Sequence, residues 1–258
     1  VVASLSTPAI LLRTINYGES DRVVTLFGRS TGRLSALARG ARKSQRRFAG
    51  GLDLCAIGEA SLRERNGAEL LMLESFDLRV SYPSFGSDLG RMAHAAYVAE
   101  LVSKLCAPRQ VETGVYDWLD EFLNVLDSGG ASAERLRVFE LGLLGRLGLA
   151  PVVATCAVCN GARVAEPVGE TGFRWDPDRG GAVCIACGQR GRPIRTVVRA
   201  ALARLAVTPL ANATDEALSP DVNRGCREAI MEVIKLHITG TLHSLEFIAK
   251  LAKVGERV

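Results

Sequence analysis

Aromatic residues make up only 5% of this 258-residue sequence. Proteins that hold nucleic acid mainly by stacking bases on rings carry more of them, so stacking is not expected to dominate any such contact here. No stretch approaches the roughly 20 apolar residues of a membrane span. No Gly-x-x-x-x-Gly-Lys-Ser/Thr loop is present, so nothing points to an ATPase. The three histidines, His94, His237 and His243, show no metal-ligand spacing, and His94 reads as a packed or capping residue on a helix. Val1 to Leu12 has neither a basic leader nor a cleavage pattern, so no secretion signal is expected. Seven cysteines without such a signal suggest a reducing, cytoplasmic setting. Glu19 and Asp21 stand close together as a nuclease pair would, but no further acids accompany them to hold metal ions, and they read as turn and salt-bridge residues. Nothing in the sequence supports catalysis.

Four of the cysteines stand in two Cys-x-x-Cys pairs, Cys156–Cys159 and Cys184–Cys187, separated by a 24-residue insert. Asn160-Gly161 follows the first pair and Gly188 the second, so each pair sits in a tight turn whose backbone N–H groups face the thiolates. This ligand set and spacing match a closed, tetrahedral Zn²⁺ site, one ion with a structural role and no open position for water. A redox Cys-x-x-Cys is the rival reading, though one catalytic pair does not call for a second. Glu166 and Glu170 in the insert read as loop residues. Phe173 and Trp175 would share one face of a short strand. For Trp175 two roles are open, packing into a small core or stacking on a base. Cys55, Cys106 and Cys226 read as plain buried thiols.

The net charge of +4 is unevenly spread. Arg29 to Arg47 holds seven basic residues and no acid, which leaves the rest of the chain net acidic. Such a local field favours a polyanion. Arg33 and Arg39 fall at even spacing on an expected strand and would point to one face. Beyond Gly40, Arg42, Lys43, Arg46, Arg47 and Phe48 form a polar, mobile, cationic loop. Its cations would neutralise phosphates with little sequence preference, and Phe48 is a candidate for stacking on a base. A second basic set follows the cysteines, with Arg195 and Arg199 four apart on one helix face. A solvated face and a DNA contact are both open for that pair.

The hydrophobic content of 48% supports real cores, and the pattern is α+β. Residues 8 to about 80 read as strands. Ile10–Leu12 opens the first, Arg22–Phe27 is the second, and Ser30-Thr31-Gly32 turns into Arg33–Ala38. Asn66-Gly67 is a two-residue turn joining Ala60–Arg65 to Ala68–Leu73. Five short strands suit a small barrel, of which the OB-fold is the usual five-stranded example. Helices are expected over Leu89–Leu105, over Glu112–Leu126 with a break at Asp127-Ser128-Gly129-Gly130, and from Ser132 as cap to about Leu147. Ile194–Leu205 and Asp221 to about Leu251 also read as helices. The expected domains are 1–80 (barrel), 81–150 (first helical part), 151–191 (metal module) and 192–258 (second helical part).

Several motifs together resemble the RecO family of bacterial DNA repair proteins. They are Gly18-Glu19-Ser20-Asp21-Arg22 leading into Val-Val-Thr-Leu-Phe, and Gly32 to Arg42. Next come Phe139 to Pro151 running into the first cysteine pair, Gly180-Gly181 before Cys184, and Leu242-His243-Ser244. The resemblance covers nearly the whole chain. It implies an N-terminal OB-fold, an all-helical second domain and an inserted four-cysteine zinc module. It further implies a non-enzymatic recombination mediator that binds single- and double-stranded DNA and anneals complementary strands. With RecR, such a protein helps load RecA onto DNA coated by single-stranded-DNA-binding protein. Docking of that protein's acidic, hydrophobic-ended tail would need an apolar pocket with a cation at its rim. Arg135 and Arg137, beside Leu136, Phe139 and Leu143, are the candidates. The alternative is a zinc-stabilised RNA- or ribosome-binding protein, which composition alone permits.

Overall fold

The computed structural model describes residues 4–44, 46–48, 51–64, 70–161, 172–214 and 218–248. Five strands open the chain: β1 (Ser4–Tyr17), β2 (Asp21–Gly28), β3 (Gly32–Ala38), β4 (Ile57–Arg63) and β5 (Leu71–Val80). They close into a barrel in the order β1-β2-β3-β5-β4. Antiparallel ladders link all neighbours except β3 and β5, whose short seam is parallel, pairing Ala36 with Leu71 and Leu37 with Met72. This is the five-stranded OB-type closure that the strand pattern suggested. β1 is longer than Ile10–Leu12 indicated, because its first half pairs with β4 and its second with β2. A bulge between Leu11 and Arg13 lets the strand bend from one partner to the other. Inside, Leu11, Val24, Leu26, Leu62, Leu73 and Phe76 pack together, as alternation on each strand requires. The expected Asn66-Gly67 turn lies outside the described residues, as do Glu166 and Glu170.

The chain forms two compact units. The first comprises Val1–Ala131 and Gly240–Val258, the second Ser132–Thr239. In the first unit the barrel is followed by α1 (Pro83–Ser87), α2 (Leu89–Leu105) and α3 (Thr113–Gly129). Asp88 caps α2 by accepting from the Arg91 N–H at 3.0 Å. α2 packs on β1 and buries Cys55, whose thiol donates to the Ala95 carbonyl at 3.7 Å. The expected break at Asp127 is corrected: α3 runs on through Gly129 and stops only at Gly130, where φ is +76°. Residues 243–248 are again helical. The Glu100 carboxylate accepts from the backbone N–H groups of His243 and Ser244 and from the Ser244 hydroxyl, at 2.6 to 3.0 Å. It thus supplies the cap that this helix start lacks in its own sequence.

In the second unit, Ser132 caps α4 (Ala133–Arg146) through the Arg135 N–H. A three-stranded sheet follows in the order β7-β6-β8: β6 is Phe173–Asp176, β7 Gly181–Cys184 and β8 Arg192–Pro193. Then come α5 (Thr196–Leu205) and α6 (Pro220–His237). α6 ends well short of Leu251: Ile238 is extended and Gly240 takes φ +73°. The expected continuation beyond residue 248 lies outside the described residues. Phe173 and Trp175 are buried, and the Trp175 indole donates to the Ala229 carbonyl at 3.1 Å, so Trp175 is a core residue. Burial alone raises the Cys55 thiol to about 12, and burial first raises Cys106 to about 12 and Cys226 to about 11, as expected of inert buried thiols. No described helix is long and apolar enough to cross a membrane.

Candidate metal centre and nucleic-acid interface

Close backbone approach brings the two cysteine pairs together. Val152 lies directly against Gly181, where a β-carbon would collide with the Val152 carbonyl. The contact is sealed by the Val152 N–H to Gly180 carbonyl and Ala182 N–H to Val152 carbonyl bonds, both 2.8 Å. The Ala157 N–H then donates to the Ala182 carbonyl at 2.8 Å, which sets the first pair beside β7. In the first turn Asn160 takes φ +57°, and its N–H reaches back to the Cys156 carbonyl at 2.9 Å. The ligand atoms of Cys156, Cys159, Cys184 and Cys187 all lie within 4.8 Å of one another, and Cys159 Sγ is 3.9 Å from Cys184 Sγ. A tetrahedral thiolate site with metal–sulfur bonds of about 2.3 Å has sulfur–sulfur edges of about 3.8 Å. The donor set and its spacing therefore fit a metal ion.

The thiols are also electrostatically prepared. Burial would raise Cys156, but N–H groups of Cys159, Cys184 and Val158 directed at its sulfur outweigh that and bring it to about 6. Cys187 is pushed up to about 12 by its thiol neighbours, Cys159 first and then Cys184. Four thiols this close cannot all ionise unaided; a bound dication makes four thiolates compatible.

The described residues of the basic segment after β3 are tied back to the barrel by hydrogen bonds. Gly40 takes φ +63°, and its N–H donates to Asp21 Oδ1 at 2.8 Å. That bond is the main reason the Asp21 carboxyl is held below its ordinary value. Lys43 and Ser44 N–H groups fold back on the Gly40 carbonyl, and the Arg42 N–H donates to the Ser20 carbonyl at 3.0 Å. Glu19 and Asp21 thus act in the turn that holds the loop: Arg42 Nη1 bonds the Glu19 carbonyl, and Asp21 the Gly40 N–H. At the far end the Phe76 N–H bonds the Arg47 carbonyl, and Arg47 Nη2 bonds the Arg39 carbonyl at 2.8 Å. The result exposes Arg39, Arg42, Lys43, Arg46 and Arg47 together on one anchored loop.

Phe48 is what anchors it. The ring is 3% exposed and belongs to the barrel core, with the Arg47 guanidinium 5.3 Å from its centre. Its proposed stacking on a base is therefore withdrawn: burial, the stronger use of aromatic area, has claimed the ring. Arg39 sits in the turn just past β3, not on the strand, so it does not share a strand face with Arg33. Arg33 lies at the other end of β3, at most about 20 Å from Arg39 at about 3.3 Å per residue. It is half-buried, and its Nε donates to the Cys106 carbonyl at 3.0 Å. Arg29 is ion-paired with Asp117.

The other candidate arginines are engaged in structure. Arg195 pairs with Asp221 at 2.5 Å. Arg199 lies 4.1 Å over the Phe173 ring and donates to the Val153 and Ala154 carbonyls, fastening α5 to the segment before Cys156. The two do not form a free cationic face. Arg135 is buried and donates to the Leu210 and Ala213 carbonyls. Arg137 is buried and pairs with the fully buried Glu140 at 3.1 Å. Neither stands at the rim of a pocket, and Leu136, Phe139 and Leu143 are core. The tail-docking assignment to Arg135 and Arg137 is thereby overturned, because both guanidinium groups are buried and bonded within the fold. Sequence reasoning passed over Arg109, whose positive φ of +58° leaves no mark in the sequence, and Glu100, whose cap lies more than 140 positions away.

Comparison with known proteins bears on nearly the whole chain. Residues 3–82 match the family model "Recombination protein O N terminal" and residues 86–246 match "Recombination protein O C terminal". The chain is 39% identical over 245 residues to DNA repair protein RecO of Anaeromyxobacter sp. (strain K), spanning 94% of each. It is 34% identical over 243 residues to the Myxococcus xanthus RecO, spanning 94% of this chain and 96% of that one. For the Geobacter sulfurreducens RecO the identity is 37% over 186 residues, or 72% and 74% of the two chains.

Proposed function

This chain belongs to the RecO family of DNA repair proteins, and on that premise we propose that it is a DNA-binding recombination mediator acting without catalysis. The observation that carries the reading is the anchored loop from Arg39 to Arg47, which exposes five cations on one end of a closed barrel. Guanidinium and ammonium groups displace counterions from phosphates and leave base identity unread. Such a surface serves single- and double-stranded DNA alike, which annealing of complementary strands requires. In the cell the protein works in the cytoplasm on the nucleoid. There, with RecR, it loads RecA onto DNA covered by single-stranded-DNA-binding protein, whose tail it engages on a surface other than Arg135 and Arg137. The metal at the four cysteines is one zinc ion with a structural role: closed thiolate coordination leaves no position for a reacting water.

Replacing Arg39, Arg42, Lys43, Arg46 and Arg47 by Ala is expected to weaken binding on every sequence. The slope of log affinity against log salt should flatten by about 0.7 for each phosphate no longer neutralised on a single strand, or about 0.9 on duplex. Annealing of complementary oligonucleotides without ATP should slow in parallel. A folded variant with the parent's affinity and annealing rate would refute the assignment. Preference for structured RNA over single-stranded DNA in competition would favour the RNA-binding alternative instead.

A further inference from the structure

A second cationic feature of the barrel stands apart from the loop. Beside the start of β3 lies a cleft of about 260 Å³ whose walls include Arg33, Ser35, Leu70, Leu71, Pro108 and Arg109. Among the described residues, no acid lines it. The connector between α2 and α3 forms one wall, docked on β3 by a Pro108–Arg33 bridge and by the Arg109 N–H to Arg33 carbonyl bond at 2.9 Å. Gly32 lies directly under this connector, where a β-carbon would strike the Gln110 carbonyl.

Both guanidinium groups are held in place with donors to spare. Arg33 is fixed through Nε on the Cys106 carbonyl and Arg109 through Nη1 on Glu64, at 3.0 Å each. Arg109 also adopts φ +58°, a region that costs a residue with a β-carbon strain and that Gly occupies freely. Backbone preference therefore argues against arginine at this position, and such strain gathers where a side chain has work to do. Pro108 is exposed and Leu70 half-exposed, so an apolar surface adjoins the two cations.

We propose that this cleft is a phosphate subsite for single-stranded DNA, in which Arg33 and Arg109 hold one phosphate while Leu70 and Pro108 receive the neighbouring sugar or base face. The proposal rests on the DNA-binding reading above and adds a second point of attachment at the start of β3, whose far end leads into the loop. A strand must be long enough to reach both points, within the roughly 4 to 16 nucleotides that one such barrel covers. The carboxylate of an acidic peptide offers related chemistry. DNA is favoured because the cleft borders the strand that leads into the exposed loop.

The test is Arg109→Gly in the full chain, which removes the guanidinium and relieves the backbone. Fluorescence anisotropy with labelled oligo-dT of about 20 and about 2 nucleotides, the second below the span of one barrel, reads the interaction across a salt series. On the long strand the variant should bind several-fold more weakly, with the salt slope lower by about 0.7. On the short strand, which one attachment point satisfies, affinity should be unchanged. The thermal midpoint should hold or rise, and Arg109→Lys should restore most of the salt slope. An unchanged slope on the long strand would overturn the subsite, as would equal weakening on both lengths with a lowered midpoint. Unchanged DNA binding, together with loss of an acidic peptide bearing a free C-terminal carboxylate that the parent protein binds, would overturn it in favour of a protein partner. If the five-residue loop variant is weakened and Arg109→Gly is not, only this subsite fails; if neither is weakened, the DNA-binding reading itself fails.

Discussion

Arg42 in the loop after β3 and Arg137 on α4 carry the same charge, and the fold uses them in opposite ways. Arg42 is exposed and bonds only a turn carbonyl, leaving most of its donors to solvent. Arg137 is 4% exposed and faces a glutamate from which water is excluded. The same contrast runs through their neighbours: Arg39, Lys43 and Arg46 with Arg42, and Arg135 and Arg199 with Arg137. The loop has no acids and few apolar residues, so it cannot bury its cations. The helices alternate cations with leucines and glutamates, so burial of the leucines carries the cations inward and pairs them. Arginine is therefore a ligand-binding signal where its sequence surroundings give it nothing else to bond, and a structural one where they do.

Loss of the metal should have the largest effect. Structural zinc sites contribute on the order of 10–16 kcal/mol of apparent binding energy. Strong chelation, or Cys187→Ser, should release the ion and loosen the second unit, detaching Arg199 from the carbonyls of Val153 and Ala154. Metal analysis checks the first outcome. The fluorescence of Trp175 in a Trp118→Phe background checks the second, since these are the only two tryptophans. A metal-free protein with unchanged Trp175 emission would erase one side of the contrast.

Next in size, Arg137→Ala should destabilise the protein by about 3–5 kcal/mol in denaturant titration, because it removes the cation facing the fully buried Glu140 carboxylate, while the salt slope for DNA stays as it was. The five loop substitutions should do the reverse, each moving stability by no more than about 0.5 kcal/mol. A large stability loss in the loop variant would show that its cations also hold the fold.

The smallest effect concerns Glu100. Burial works to raise this carboxyl, but the Ser244 hydroxyl and the N–H groups of Ser244 and His243 prevail, and it lies below its ordinary value of 4.5. A carboxyl depressed by folding stabilises above its unfolded value and loses that contribution as pH falls through the folded one. Amide exchange in residues 243–248 should accelerate as pH drops below about 4.5, relative to the intrinsic rate. Glu100→Gln should show the faster exchange already at neutral pH. Exchange indifferent to both changes would mean that the helix start is held by other bonds.

Much of this architecture was legible in the sequence because its determinants are local. Alternation gave the strands, and Leu89 and Leu105 bounded α2 through an apolar stripe and the break that follows. The cysteine spacing pointed to the four-cysteine cluster because each pair is its own turn. The errors arose where long-range packing decided the outcome. Phe48 looked like a loop aromatic, but the loop folds back so that its ring closes the barrel core. Arg135 looked like a surface cation because nothing nearby in sequence foretells Leu210 and Ala213 as acceptors, and Arg137 because an i,i+3 pair with Glu140 is more often exposed than buried. The end of α6 was missed because Ile238, Thr239 and Gly240 interrupt an apolar pattern that otherwise continues.

The second unit is spliced into the first, leaving it after Ala131 and returning at Gly240, and this bears on synthesis. A ribosome delivers the barrel and α1–α3 first, and they can settle while the insert is still being made. Glu100 must wait for partners 143 and 144 residues downstream. Folding of the intervening residues shortens the effective loop and lowers the entropic cost of closing it. The helix at 243–248 thus fastens late, and a product truncated before it would carry a finished barrel with Glu100 lacking these partners.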